Sequence, residues 1–160
     1  MIYRVPAAAM LAFTLAIAGC DNSSSNLGQG FLVDGPHNGL MIPLPQNEGF
    51  AEILSQEATS AGSRQRGRLP RMIVVYFLGA DKKSALTTAP TAVSVKFLGE
   101  TAGTEGSAIS LTPSADPKDP AGAMRFTSAA GDYDLARRRA KLTADLVGGQ
   151  KLDEGFVGMR

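Results

Sequence analysis

Seven residues, Met72-Ile73-Val74-Val75-Tyr76-Phe77-Leu78, constrain the fold of this chain most. They are β-branched, aromatic or long apolar residues bracketed by Pro70 and Gly79, so the run suits a strand with both faces covered. A strand of that kind lies inside a sheet, and the rest of the chain has to supply its neighbours and a second layer.

The neighbours can be read from alternation and turn residues. Pro36-His37-Asn38-Gly39 is a turn by composition, with Asn-Gly suited to positive φ, and it opens the alternating set Leu40, Ile42 and Leu44. Pro43 and Pro45 cannot donate ladder hydrogen bonds, which predicts an edge strand or an early end to this one. After Gln46-Asn47-Glu48-Gly49, residues Phe50 to Ser55 read as the other arm of a hairpin, with Glu52 turned to water. Past the central run, Ala80 to Lys83 form a turn and Thr87 to Thr91 a connection. Val93, Val95 and Phe97 then alternate with Ser94 and Lys96, and Ala108 to Thr112 forms one further strand with Ile109 and Leu111 inward.

Asp116-Pro117-Lys118-Asp119-Pro120 is a loop that neither helix nor central strand accepts. Met124, Phe126 and Ser128 give another strand. The last segment is expected to make a short helical turn over Tyr133 to Arg138. Two strands follow, joined at Gly148-Gly149 as a terminal hairpin. Ala58 to Leu69 reads as a long exposed loop. Its arginines Arg64, Arg66 and Arg68, extended by Arg71, suit anionic lipid head groups or an acidic partner, or simply a solvated surface. Short strands separated by Gly and Pro turns predict a mainly β fold, a small antiparallel β-sandwich of seven or eight strands, with a small β-barrel as the alternative.

The N-terminus is of another kind. Arg4 precedes an apolar run from Ala7 to Ile17, then the small residues Ala18 and Gly19, then the only cysteine of the chain. The run falls short of the about 20 apolar residues of a membrane-spanning helix, and Asp21-Asn22-Ser23-Ser24-Ser25 turns abruptly polar. Ile17-Ala18-Gly19-Cys20 resembles the lipobox of bacterial lipoproteins. The resemblance implies that the Cys20 thiol receives a diacylglycerol, that the leader is cut before it, and that a further acyl chain joins the amine in many bacteria. Two or more chains make a stable anchor. The expected organisation is a signal peptide over residues 1–19, a flexible tether over 20–35 and a β-sandwich domain over 36–160. The protein would then sit on the periplasmic face of the cell envelope, held to the membrane through Cys20. Asp21 resembles an inner-membrane retention signal of enteric bacteria, and both the inner and the outer membrane stay open. Within the tether, Phe31-Leu32-Val33 is an apolar patch expected to dock on the domain or on lipid.

Loss of the leader removes Arg4 from the 16 basic residues and leaves them level with the 15 acidic ones. A neutral domain makes no bulk electrostatic case for nucleic acid. With Cys20 acylated there is no thiol for disulfides, zinc thiolates or nucleophilic catalysis.

A second resemblance covers residues 36–157. Pro36-His37-Asn38-Gly39-Leu40 with Leu44, Phe50-Ala51-Glu52, Val74-Val75-Tyr76-Phe77-Leu78, Asp116-Pro117-Lys118-Asp119-Pro120 and Phe126 look like small lipoproteins of planctomycete-type bacteria. A related His-Gly-Gly opening is similar to β-domains of heavy-metal efflux adaptor proteins. Asn38 stands here where those have glycine, and the chain has no histidine-rich region.

Candidate chemistries are few. His37 is the only histidine, no Gly-x-Ser-x-Gly elbow is present, and neither a P-loop nor a dinucleotide fingerprint occurs, so no enzyme activity, catalytic residue or cofactor is expected. His37 with Met41, or with Met72, Met124 or Met159, would suit a soft metal such as Cu(I), although scattered methionines also serve as core filler. Asp116 and Asp119 offer oxygens for Ca²⁺, but a proline-locked turn accounts for both. A non-enzymatic interaction or structural domain with an envelope protein partner, and alternatively a metal-handling accessory, are the expected functions. Pro43, Pro45 and Lys96 would blunt sheet edges, which predicts a monomer.

Overall fold

The computed structural model describes residues 35–58, 69–99, 105–136 and 138–158. The signal peptide and the tether up to residue 34, Cys20 included, lie outside the described residues, as do Arg64, Arg66, Arg68 and Met159.

Nine strands form among the described residues: β1 (Leu40–Pro43), β2 (Gly49–Glu57), β3 (Arg71–Gly79), β4 (Thr91–Leu98), β5 (Glu105–Ser110), β6 (Thr112–Ser114), β7 (Met124–Thr127), β8 (Arg139–Asp145) and β9 (Lys151–Val157). They make two antiparallel sheets, one ordered β1-β2-β3-β7-β6 and one ordered β5-β4-β8-β9. Among the described residues each sheet keeps two open edges, so the fold is consistent with a sandwich and no barrel closes.

The apolar run is the centre of the first sheet. β3 pairs with β2 from Glu57↔Arg71 to Gly49↔Gly79 and with β7 from Val74↔Thr127 to Phe77↔Met124. Ile73, Val75 and Phe77 point into the main core with Ile53 and Phe126, and Val93, Val95, Leu142 and Leu152 join them from the second sheet. Phe77 and Phe126 meet edge to face at 5.5 Å and 83°. Each such side chain withdrawn from water contributes roughly 1.5–3 kcal/mol. Val74, Tyr76 and Leu78 point the other way and are buried too, with Met41, in a second apolar cluster.

Turn chemistry closes the hairpins. Leu44 N–H donates to the Gly49 carbonyl at 2.9 Å across the β1–β2 connection, and Leu146 N–H donates to the Gln150 carbonyl at 2.8 Å across β8–β9. In the latter, Gly148 and Gly149 both take positive φ, 77° and 78°, where a side chain would be strained.

Four expectations are corrected. The stretch from Ala108 to Thr112 is not one strand. Leu111 is a corner whose N–H donates to the Val93 carbonyl at 2.9 Å, and beyond it Thr112–Ser114 leaves β4 to pair with β7 in the other sheet. That crossing makes two strands of one and raises the number to nine. Tyr133 to Arg138 forms no helix among the described residues. Asp134 Oδ1 takes the Ala136 N–H at 2.9 Å and the Leu135 carbonyl takes the Arg138 N–H at 3.1 Å, which makes a turn and no more. Arg71 is not exposed, as an extension of that loop would be. It is half-buried at the start of β3, and its Nε and Nη2 donate to Ser55 Oγ and Ser55 O, each at 2.7 Å. Lys96 protects no edge, because β4 lies between β5 and β8. Pro43 does stand on an edge strand, β1, whereas Pro45 lies beyond its end in the turn Pro45–Asn47; Pro113 stands on the edge strand β6.

Candidate functional site

One row of side chains crosses the outer face of the five-stranded sheet. Met41 pairs with Glu52, Glu52 with Tyr76, Tyr76 with Arg125 and Arg125 with Ser114, so residues from five strands share one line. Alternation puts Glu52 on this face because Ala51 and Ile53 face the core. The face, however, is not wet.

Glu52 is 0% exposed, which corrects the expectation that it meets water. The turn Gly35 to Gly39 folds back over it and supplies the hydrogen bonds a buried carboxylate requires. Oε1 accepts from the N–H groups of His37 and Gly39, both at 2.8 Å, and Oε2 lies 2.7 Å from His37 Nδ1. An ionised carboxylate only accepts, so Nδ1 is the donor of this pair. Asn38 at φ 61° makes the turn possible, and its N–H closes it on the Gly35 carbonyl at 2.9 Å.

The His37 ring then lies on the Tyr76 ring, centroids 3.8 Å apart and planes 6° from parallel. Tyr76 continues the row: its hydroxyl donates to Asp119 Oδ1 at 3.0 Å. Burial, and after it the hydrogen bond to Asp119 and that carboxylate's charge, push the Tyr76 phenol from 10.0 up to about 12. Arg125 lies beneath the same loop. It donates to Ser114 Oγ and Gln56 Oε1, each at 3.2 Å, and stands 3.7 Å from Asp119 and 3.8 Å from Asp116. The two aspartates whose oxygens could have been offered to Ca²⁺ are thus turned to an arginine and a tyrosine. Asp119 Oδ2 and Arg125 Nε are both buried and face each other at 3.7 Å as an ion pair without a direct hydrogen bond.

His37 and Met41, the candidate metal ligands, have separate roles here. Met41 is 2% exposed and packs with Val74, Tyr76 and Leu78, whereas the contacts of His37 are to Glu52 and Tyr76. Among the described residues no three His, Cys, Asp or Glu side chains gather as a metal cluster. A groove of about 480 Å³ opens beside His37, lined also by Gly39, Ser55, Arg71, Asp134 and Phe156. Its polar groups are engaged with one another. Ser55 Oγ donates to the Tyr133 carbonyl at 2.7 Å and accepts from Arg71, so it is not paired with the histidine as a nucleophile would be.

The sequence reading missed Glu52, Tyr76 and Arg125 as site residues. A signal existed: Glu52 stands among the apolar residues Phe50, Ala51, Ile53 and Leu54 of β2, Arg125 is the single charge of β7, and such charges are buried only when partnered. Compared with protein-family models, curated proteins and solved structures, the chain matches none.

Proposed function

We propose that this chain is a lipid-anchored protein of the bacterial cell envelope whose β-sandwich acts as a non-enzymatic interaction or structural domain. The observation that carries the proposal is the apolar leader that ends at Ile17-Ala18-Gly19-Cys20 and gives way at once to a polar segment. The arrangement around His37 supports the non-enzymatic part, because its imidazole is spent on clamping a turn to the sheet through Glu52 and Tyr76. The test is metabolic labelling with a palmitate analogue together with membrane fractionation. Wild-type protein should carry label and sediment with membranes in high salt, and Cys20→Ser should do neither. A Cys20→Ser protein that still sediments there defeats the proposal.

One observation favours metal handling as a second reading. A carboxylate bonded to one imidazole nitrogen is the arrangement that orients metal-binding histidines, which ligate through the other nitrogen. The remaining donors would come from a partner. Copper or zinc titration of wild type against His37→Ala distinguishes the two, and submicromolar binding lost in the variant favours the second.

A further inference from the structure

Among the described residues the two sheets have four edge strands, and these are not equally protected. β1 contains Pro43, β6 contains Pro113, and β9 carries Lys151, Asp153 and Glu154. Prolines and charges are the devices that keep an edge from pairing with another chain. In β5 the five residues Gly106 to Ser110 include neither, and Gly106, Ser107, Ala108 and Ser110 are exposed.

The direction of the free backbone groups follows from the ladder. Leu111 N–H points to Val93, and the register Ser94↔Ser110, Val95↔Ile109, Lys96↔Ala108 is unbroken up to that point. Successive residues of a strand turn their N–H and C=O groups to opposite sides, so Ile109 faces β4 while Ala108 and Ser110 face outward. Ile109 packs against the core, so the small residues Ala108 and Ser110 stand on the outer face.

We propose that β5 pairs with β5 of a second copy of this chain, antiparallel about a twofold axis at Ala108. The pairing joins two four-stranded sheets into one sheet of eight. About that axis, Ala108 exchanges both hydrogen bonds with its counterpart, Ser110 faces Gly106, and Ile109 faces Ser107. No charged side chain opposes itself, and each Ile109 gains cover from its neighbour. The contact is isologous and closes at two copies. The head-to-tail alternative, β5 on β9 of the next copy, would place Lys151, Asp153 and Glu154 along an edge whose one charge is Glu105, at its start, and would build an open filament. A six-residue strand pair falls short of the roughly 1,600 Å² of a standard interface, so the dimer is reversible and its population rises with concentration. Two chains held on one membrane, as proposed above for Cys20, would meet at a raised effective concentration. The edge geometry itself does not depend on the anchor.

The test is sedimentation of the full chain in non-denaturing detergent over a concentration series. The wild type should pass from one protein chain per particle to two. Ala108→Lys places like charges directly opposite at the axis and should keep one chain per particle at every concentration. Ala108→Pro removes an outward N–H that β4 does not use and should do the same, while Asp153→Lys on the other edge should leave the dimer intact. Strand-type circular dichroism establishes that each variant is folded, and Ser110→Lys replaces any that is not. A wild type that stays at one chain throughout overturns the proposal. So does a dimer indifferent to the Ala108 changes, or a series that grows past two.

Discussion

The imidazole of His37 lies flat on the phenol ring of Tyr76, 3.8 Å between centroids and 6° from parallel. The two residues come from a turn before β1 and from the middle of β3. Their stacking is possible because Glu52, the residue directly opposite Tyr76 in the β2–β3 ladder, anchors the imidazole from below. A polar side chain at the centre of a sheet face thereby becomes the attachment point for the turn that covers it.

His37→Ala should destabilise the domain by about 1–3 kcal/mol, the cost of leaving a buried charged acceptor short of a partner. Glu52→Ala should cost at least as much, since it strands the N–H groups of His37 and Gly39. Urea unfolding of both single variants and the double variant measures the coupling. A double variant that loses the plain sum of the two would show that the 2.7 Å contact contributes nothing of its own.

Gly35 and Gly39 are required for lack of a side chain. A Cβ at Gly35 would fall 2.3 Å from Glu52 Cδ, and one at Gly39 would fall 2.8 Å from the Ile53 carbonyl oxygen. Both approaches are closer than real Cβ contacts, so Gly35→Ala and Gly39→Ala should each lose roughly 1–3 kcal/mol through overpacking. Gly122→Ala is the comparison: no atom lies within 4 Å of its Cβ position, and only its φ of 85° opposes the change. Thermal melts in which all three behave alike would show the turn is free to move off Glu52.

Tyr76 links stability to alkaline pH. Its folded value of about 12 is above the ordinary 10.0, so as pH rises past 10 the unfolded chain gives up the proton before the folded one does. The stabilisation is complete below pH 10 and drains away as pH climbs to about 12. Tyr76→Phe should remove this dependence and cost about 1 kcal/mol near neutrality through the lost bond to Asp119. Ultraviolet titration of the phenolate band, compared between wild type and Tyr76→Phe, checks the assignment. Normal titration of Tyr76 in the folded protein would refute it.

Val75 tests the centre of the fold. It is fully buried on β3 between Ile53 of β2 and Phe126 of β7. Val75→Asp would place a carboxylate there with no turn to satisfy it, in contrast to Glu52 one strand away, and should cost several kcal/mol. Expression without a cooperative unfolding transition is the expected outcome. A folded, soluble Val75→Asp protein would contradict the packing described.

The sequence by itself determined the fold class, the position of the central strand at Met72–Leu78, the β1–β2 and β8–β9 hairpins, and Pro43 on an edge. All of these rest on local rules: two-residue alternation, the missing N–H of proline, the positive φ open to glycine. Tertiary structure alone decided what alternation leaves undefined. A period of two says which face a residue is on, but not whether a distant turn covers that face, and so Glu52 reads as solvated until residues 35–39 close over it. Nor does local pattern say which sheet a strand joins. Leu111 turns the chain from one sheet into the other, and Lys96 becomes interior, because those outcomes depend on hydrogen-bond partners far away in the chain. The row from Met41 to Ser114 is the extreme case: five strands contribute one residue each, and only their register brings them into line.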